Sequence, residues 1–411
     1  MEGRLDSRRA LEALRSGVPN RDAVRALGCG QAHVEKRFTE QLAEVEKISA
    51  PKGLLVSGGF GTGKSHLLEY LEHTALSQNC VCSRIAISKE TPLYELGKLY
   101  RAAVDQAVVP GRTGLAIQEI AHMLRPGSGR YAEFYRWANS SESGLPQLFP
   151  ATLFLHERLN NDPELVENVT AFWAGDRIAT TRVKQGLQQA GAPKMFDVRP
   201  VPMRDLGLHR FVFASQLIRA AGFNGWVILI DEVELIGRYS PLQRGRSYAE
   251  LARWMGQTDS GFRNVASTLA ITDDFALAVL QEKSDRDVIG PKLRGKGTTE
   301  YATIADRAET GMRIIEREAV PLVPPDEGAL ARTYARLKEI HAKAYEWKPP
   351  ELEQVQRSLQ RPMRSYVRRW IAEWDLHRLY PEAGVEIEEK QLETSYDEDR
   401  DLEVAPEDDD E

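Results

Sequence analysis

Cysteine is scarce in this sequence of 411 residues, with only Cys29, Cys80 and Cys82. An odd number without metal-type spacing builds neither a disulfide framework nor a zinc site, so we expect reduced core thiols in a cytoplasmic protein. Long apolar runs are missing as well. No stretch approaches the roughly 18–20 apolar residues of a membrane-spanning helix, which excludes a membrane protein of that kind. The opening MEGRLDSRRALEALR is charged and amphipathic, without the apolar centre and cleavage site of a secretory signal. Aromatic residues thin out at the other end. From Glu386 to Glu411, fourteen Asp and Glu stand against Lys390 and Arg400, a local charge of −12. Since the whole chain carries −7, residues 1–385 carry +5. The body is mildly basic, and the acidic tail has too little apolar surface to fold alone. Such a tail is a solvated terminus, a nucleic-acid mimic or a partner-docking segment, and we expect the first.

What the sequence does contain is LLVSGGFGTGKSHLL, from Leu54 to Leu68. Gly58 and Gly63 bracket four residues and precede Lys64 and Ser65, which is the full phosphate-loop spacing. Glycines let main-chain N–H groups turn inward and approach phosphate oxygens with no Cβ in the way. Lys64 would face the β- and γ-phosphates of ATP, and the Ser65 hydroxyl would ligate Mg²⁺. Leu54–Val56 reads as the strand entering the loop, and His66 to Leu71 as the helix leaving it, whose N-terminus favours an anion. The expected nucleotide contacts are Gly58, Gly59, Phe60, Gly61, Thr62, Gly63, Lys64, Ser65 and His66.

Residues 1–50 read as an N-terminal helical segment. One stripe is Leu5, Ala10, Leu11 and Leu14; a second segment carries Val24 and Leu27 and stops at Gly28; a third carries Val34, Phe38, Leu42 and Val45. These helices fit a DNA-reading helix-turn-helix, or a layer packed on the next domain beside the nucleotide base. Residues 51–323 read as a P-loop ATPase core. Within it Val81–Ser88 is a second strand, and a helical insertion spans about 90–207. Its expected helices are Leu93–Val108, Leu115–Met123, Arg130–Ala138, Ala151–Leu159, Pro163–Trp173 and Ile178–Gln189, with Tyr131, Tyr135, Trp137 and Trp173 in the core.

Trp226 to Glu234, WVILIDEVE, is a buried strand ending in acids. In a parallel sheet Asp231 and Glu232 would sit at the carboxyl edge, where ligands bind. Asp231 would hold the Mg²⁺ hydration shell, and Glu232 would orient and deprotonate the attacking water. Val265–Thr272 is a further strand, whose Thr272 would hydrogen-bond the γ-phosphate or the water. Arg307 and Arg313, nearest the last strand Ala319–Val323, are candidates to reach a neighbouring subunit's γ-phosphate. Residues 324–380 read as a helical lid, from which Arg361 or Arg364 would reach the phosphates and Arg368 and Arg369 a partner or a DNA backbone. Residues 381–411 are the acidic tail, expected to be disordered.

This ordered set resembles an additional-strand P-loop ATPase, and the final helical segment makes it similar to the AAA+ group, with initiator-like and STAND ATPases nearest. More narrowly, Arg8–Gly28, Leu55–Leu71 and Gly225–Trp254 resemble the ATP-binding proteins of bacteriophage-exclusion (BREX) defence systems. The likeness spans most of residues 5–380 and leaves the acidic tail outside it. It implies the roles given for Lys64, Ser65, Asp231 and Glu232, and further implies anti-phage defence with DNA and sibling BREX proteins as partners. The arginine candidates match no motif of the family, so completion of the site by a second copy in an ATP-dependent oligomer is left open. Two functions follow: an ATP-hydrolysing motor or switch acting on DNA or a DNA-bound complex, and a nucleotide-gated scaffold that docks partners with little turnover. Glu232 favours the first, because a binding-only site needs no base after Asp231. A small-molecule kinase fits less well with the Asp-Glu pair, the insertion and the lid.

Overall fold

The computed structural model describes residues 2–16, 21–47, 50–258, 261–352, 363–380 and 396–399. In chain order these form α1 (Glu2–Ser16), α2 (Arg21–Leu27), α3 (Ala32–Glu46), β1 (Leu54–Ser57), α4 (Lys64–Ser77), β2 (Val81–Ala86), α5 (Leu96–Asp105) and β3 (Ala107–Val108). Then come α6 (Ala116–His122), α7 (Gly129–Ala138), α8 (Leu148–Arg158), α9 (Pro163–Ala174), α10 (Thr180–Gln189), α11 (Met203–Ala220) and β4 (Trp226–Asp231). The rest is α12 (Pro241–Trp254), β5 (Val265–Ile271), α13 (Asp285–Arg294), α14 (Thr299–Arg317), β6 (Val320–Pro321), α15 (Glu327–Tyr345) and α16 (Met363–Leu379).

The strands make one mixed, mostly parallel sheet in the order β3-β2-β4-β5-β1-β6, in which only β3 runs antiparallel. Side chains alternate across it, as the pleat requires. Leu54, Val56, Val227 and Leu229 face α3 and α4, whereas Leu55, Ile228 and Ile230 face the larger layer that holds α5, α11 and the helices between them. Both faces are covered, which is why these strands read as continuous apolar runs. Trp226 closes the larger core by donating its indole N–H to Ser83 Oγ at 2.9 Å.

Local preferences and distant partners together account for the differences from the sequence expectation. The helix expected over 93–108 ends at Asp105, and Ala107–Val108 pairs with Cys82–Ser83 as β3. Val108 and Val109 before Pro110 prefer extended backbone, and β2 offers an open edge. The last strand shortens to Val320–Pro321 because Pro321 has no N–H to give, which an edge strand tolerates. The long helix α11 carries Phe211 and Phe213 into the core, and Gly207 lets it approach α5: a Cβ there would stand 2.7 Å from the Gly97 nitrogen. Tyr131 and Trp173 are buried, with Tyr135 and Trp137 packed against the same core.

The first helices join the last. Ala10 and Leu11 of α1 and Ala23 of α2 share a core with Leu337, Ile340, Trp370 and Trp374 of α15 and α16. Leu5 is a correction, being 53% exposed. At about 100° per residue it stands about 140° from Ala10 and falls off the buried stripe. His341, fully buried, accepts from Trp347 Nε1 at 2.9 Å, so its other nitrogen donates to Asp375 at 3.2 Å, and Asp375 also pairs with Arg15 of α1. The three thiols are free and buried or half-buried. Burial pushes Cys29 to about 12, Cys80 to about 11 and Cys82 well above its ordinary value. No described helix is long and apolar enough to cross a membrane.

Helices α12 and α14 pack closely, so that a Cβ on Gly311 would stand 2.0 Å from the Tyr248 carbonyl oxygen. Main chain cannot rotate away as a side chain can. Gly311→Ala should therefore destabilise the protein by about 1–3 kcal/mol, the usual cost of overpacking, read as a lowered midpoint in thermal unfolding. An unchanged midpoint would contradict this packing.

Candidate nucleotide site

Three parallel strands bring the chemistry to one edge. Leu55 of β1 lies opposite Leu269 of β5, which lies opposite Ile230 of β4. The glycine loop after Ser57, the acids after Ile230 and Thr272 after Ile271 therefore leave the sheet side by side. The loop turns through Gly61 (φ 76°) and Gly63 (φ 101°), left-handed conformations that favour glycine, and Gly63 caps α4. A Cβ on Gly58 would stand 2.6 Å from Thr62 Oγ1, and one on Gly59 3.6 Å from the Asp273 carboxylate, so the end of β5 borders the loop. Thr62 Oγ1 donates to Gly59 O at 2.8 Å, holding the turn.

Lys64 is 8% exposed and folds back on its own loop. Its ammonium donates to Gly58 O at 2.7 Å and Gly59 O at 3.4 Å, lies 5.2 Å from the Phe60 ring centre, and stands 4.0 Å from Glu234 Oε1. Asp231 accepts the Glu232 N–H at 2.9 Å. Glu232 itself is left-handed (φ 58°, ψ 33°), a costly conformation for a residue with a Cβ. That turn buries Val233 and leaves Glu232 an exposed residue whose carboxyl is only partly shielded from water. Burial and the charge of Asp231 raise the Glu232 pKa, while Lys64 opposes the rise. Glu232 and Glu234 thus each feel the charges of Lys64 and Asp231.

Sequence reasoning missed Glu234. It is 5% exposed, its Oε2 has no hydrogen-bond partner among the described residues, and burial pushes its pKa up to about 7 against the pull of Lys64. The signal available was a third acid in DEVE, separated from Glu232 by a residue that must be buried. His66, expected among the nucleotide contacts, spends its ring on Gly28 O at 2.7 Å, and burial lowers its pKa. That bond pins the α2–α3 junction beside the loop, and Gln31 ties the same junction to the exit of β6 through two bonds to Val323.

Within one chain, the described arginine candidates make no hydrogen bond to the loop. Arg307 lies near Glu250, exposed Arg313 donates to Thr310, and exposed Arg364 starts α16; among the described residues none hydrogen-bonds the loop or its acids. Arg369 pairs with Glu373, Arg368 is exposed, and Arg361 lies outside the described residues.

The residues fit a magnesium nucleotide. The loop already presents its lysine to acceptor oxygens, which is the contact a phosphate would take over. The half-buried Ser65 hydroxyl forms no hydrogen bond among the described residues. No cluster of three or more His, Cys, Asp or Glu that could cage an ion exists among them either. A cation held by one hydroxyl, one carboxylate shell and the phosphates themselves needs no such cage.

A mostly parallel sheet with a lysine-bearing glycine loop at the end of one strand and acids at the end of another defines a P-loop ATPase-like protein. The chain belongs to the family described as BREX system ATP-binding protein BrxC/D, whose family model matches residues 4–122 and 208–373. The match covers the sheet, the loop and most of the helices at either end of the chain, and does not separate the C from the D branch. Neither a curated protein nor a solved structure matches the chain.

The Glu234 carboxyl gives a pH test. The folded protein keeps its proton up to about 7, whereas the unfolded chain releases it near 4.5. Its contribution to stability is full below about 4.5 and declines as pH rises to about 7, by on the order of 3 kcal/mol. Glu234→Gln should abolish that slope, so its stability relative to wild type should rise across this interval in denaturant titrations. A difference that does not change with pH would refute the assignment.

Proposed function

We propose that the protein is a Mg²⁺-dependent ATPase of the AAA+ type, working in a cytoplasmic BREX defence complex on DNA or on a DNA-bound assembly. One observation carries this reading: the Lys64 ammonium stands 4.0 Å from a buried carboxylate, with Asp231 and Glu232 in the same field. Bound Mg²⁺ would neutralise phosphate charge and hold the triphosphate in line. The chain's own groups do the rest. Lys64 leaves the Gly58 and Glu234 oxygens for the β- and γ-phosphates, and loop N–H groups cover the anion. Ser65 would ligate the cation, and Asp231 would hold its hydration shell. Glu232, only partly shielded from water, takes the proton of the attacking water, and its raised pKa makes it a better base than an ordinary carboxylate. Thr272 donates to the γ-phosphate or the water. The adenine would border the segment before the loop, which His66 ties to α4 through Gly28.

The order β2-β4-β5-β1-β6, with β5 between the loop strand and the acidic strand, supports the additional-strand class. Arg307, Arg313 and Arg364 remain candidates for a neighbouring copy's phosphates in an ATP-dependent oligomer. The mildly basic body suits a DNA backbone.

Two variants test the reading. Lys64→Ala removes the charge facing the phosphates and should weaken ATP binding at least tenfold, about 1.4 kcal/mol, in equilibrium titration. Unchanged affinity would overturn the site. Glu232→Gln keeps the geometry and should bind ATP with phosphate release reduced about 100-fold, the low end of what general-base catalysis contributes. Full turnover in that variant would remove Glu232 from the role.

A further inference from the structure

Most of the acidic tail, expected to be disordered, lies outside the described residues, but its described stretch lies against the core. Tyr396–Asp399 is described, and its Tyr396 is the only aromatic residue of Glu386–Glu411. The Tyr396 ring packs edge-on to Phe275 at 5.9 Å, and a Cβ on Gly237 would meet it at 3.0 Å. Lys283 donates to the carbonyls of both Gly237 and Tyr396. Arg244, held by Asp285, reaches Glu398 at 3.1 Å, and the Asp399 N–H donates to Arg238 O at 3.1 Å. An apolar slot flanked by two cations fits an aromatic residue followed by acids, and this tail supplies Tyr-Asp-Glu-Asp.

The slot lies on the nucleotide site. Tyr396 stands within the field of Glu234, and its hydroxyl lies 2.5 Å from Thr272 Oγ1 and donates to Asp274 Oδ1 at 2.8 Å. A phenol has one proton, and Asp274 receives it, so Thr272 is the donor to Tyr396. Thr272 also has one proton. While Tyr396 is seated, that proton is unavailable to a phosphate oxygen, which can only accept.

We propose that Tyr396–Asp399 is a latch: docked in this slot it withholds the Thr272 hydroxyl from the nucleotide, and it leaves when the site turns over. This rests on the role of Thr272 proposed above.

The test uses the full-length protein, as wild type, Tyr396→Phe and Tyr396→Ala, with ATP binding, turnover and hydrogen exchange measured on the same samples. Tyr396→Phe keeps the ring and returns the Thr272 proton, so turnover should rise about tenfold while ATP affinity holds. Equal or slower turnover with intact binding overturns the latch and leaves the ATPase reading standing. Absence of ATP binding in wild type overturns that reading itself. Saturating ATP should also speed exchange at the Asp399 amide; unchanged exchange sinks the latch even if turnover is undetectable. A peptide spanning residues 390–405 should slow Tyr396→Ala, and the same peptide carrying Tyr396→Phe should not. Equal inhibition by both would show that charge alone, not the phenol, does the work, and would overturn the proposal.

Discussion

Everything at the site depends on the hydrogen-bonded register of β1, β5 and β4. Parallel pairing sets Leu55, Leu269 and Ile230 side by side, so the glycine loop and the acids leave the sheet at one level. A slip of one residue would exchange the faces of a strand and bury what should be exposed. The register is held from both sides, because alternate residues of each strand enter separate apolar cores. The price of this arrangement is an ammonium and a carboxylate brought out of water together. Lys64 meets that cost with main-chain carbonyls, and Glu234 meets it by holding its proton.

Both ends of the chain act on the centre. The N-terminal helices α1 and α2 share a core with α15 and α16, while the junction before α3 is bound to His66 just past the loop. At the other end, four tail residues are anchored by Lys283, Arg244 and Arg238 around the end of β5. The C-terminal helices are therefore packed on α1 and α2, and α2 packs on α4, the helix that carries Lys64. Packed helices at one side and a charged strap at the other give the site two separate physical connections to the rest of the protein.

Much of this was legible before any coordinates. Leu54–Ser57, Val81–Ala86, Trp226–Asp231 and Val265–Ile271 are strands where their apolar runs place them, and the insertion helices start and stop near their Gly and Pro breaks. What escaped was decided by distant partners. β3 forms because β2 has an open edge, and α11 is fitted to α5 through Gly207. Leu5 looked apolar enough for a core but sits on the wrong face of its helix. Tyr396 looked like one more residue of a solvated tail, since nothing nearby in sequence announces Phe275, Thr272 or Lys283 as its neighbours.

The sequence alone determined which groups could touch a triphosphate, because glycine spacing, one lysine and an acid pair after an apolar strand are local requirements of that chemistry. Tertiary structure decided how those groups stand toward one another. It placed Glu234 against Lys64, turned His66 toward Gly28 and seated Tyr396 on Thr272. Each of these contacts joins elements separated by loops or whole domains of sequence, and burial and charge at such contacts depend on packing that no local pattern encodes.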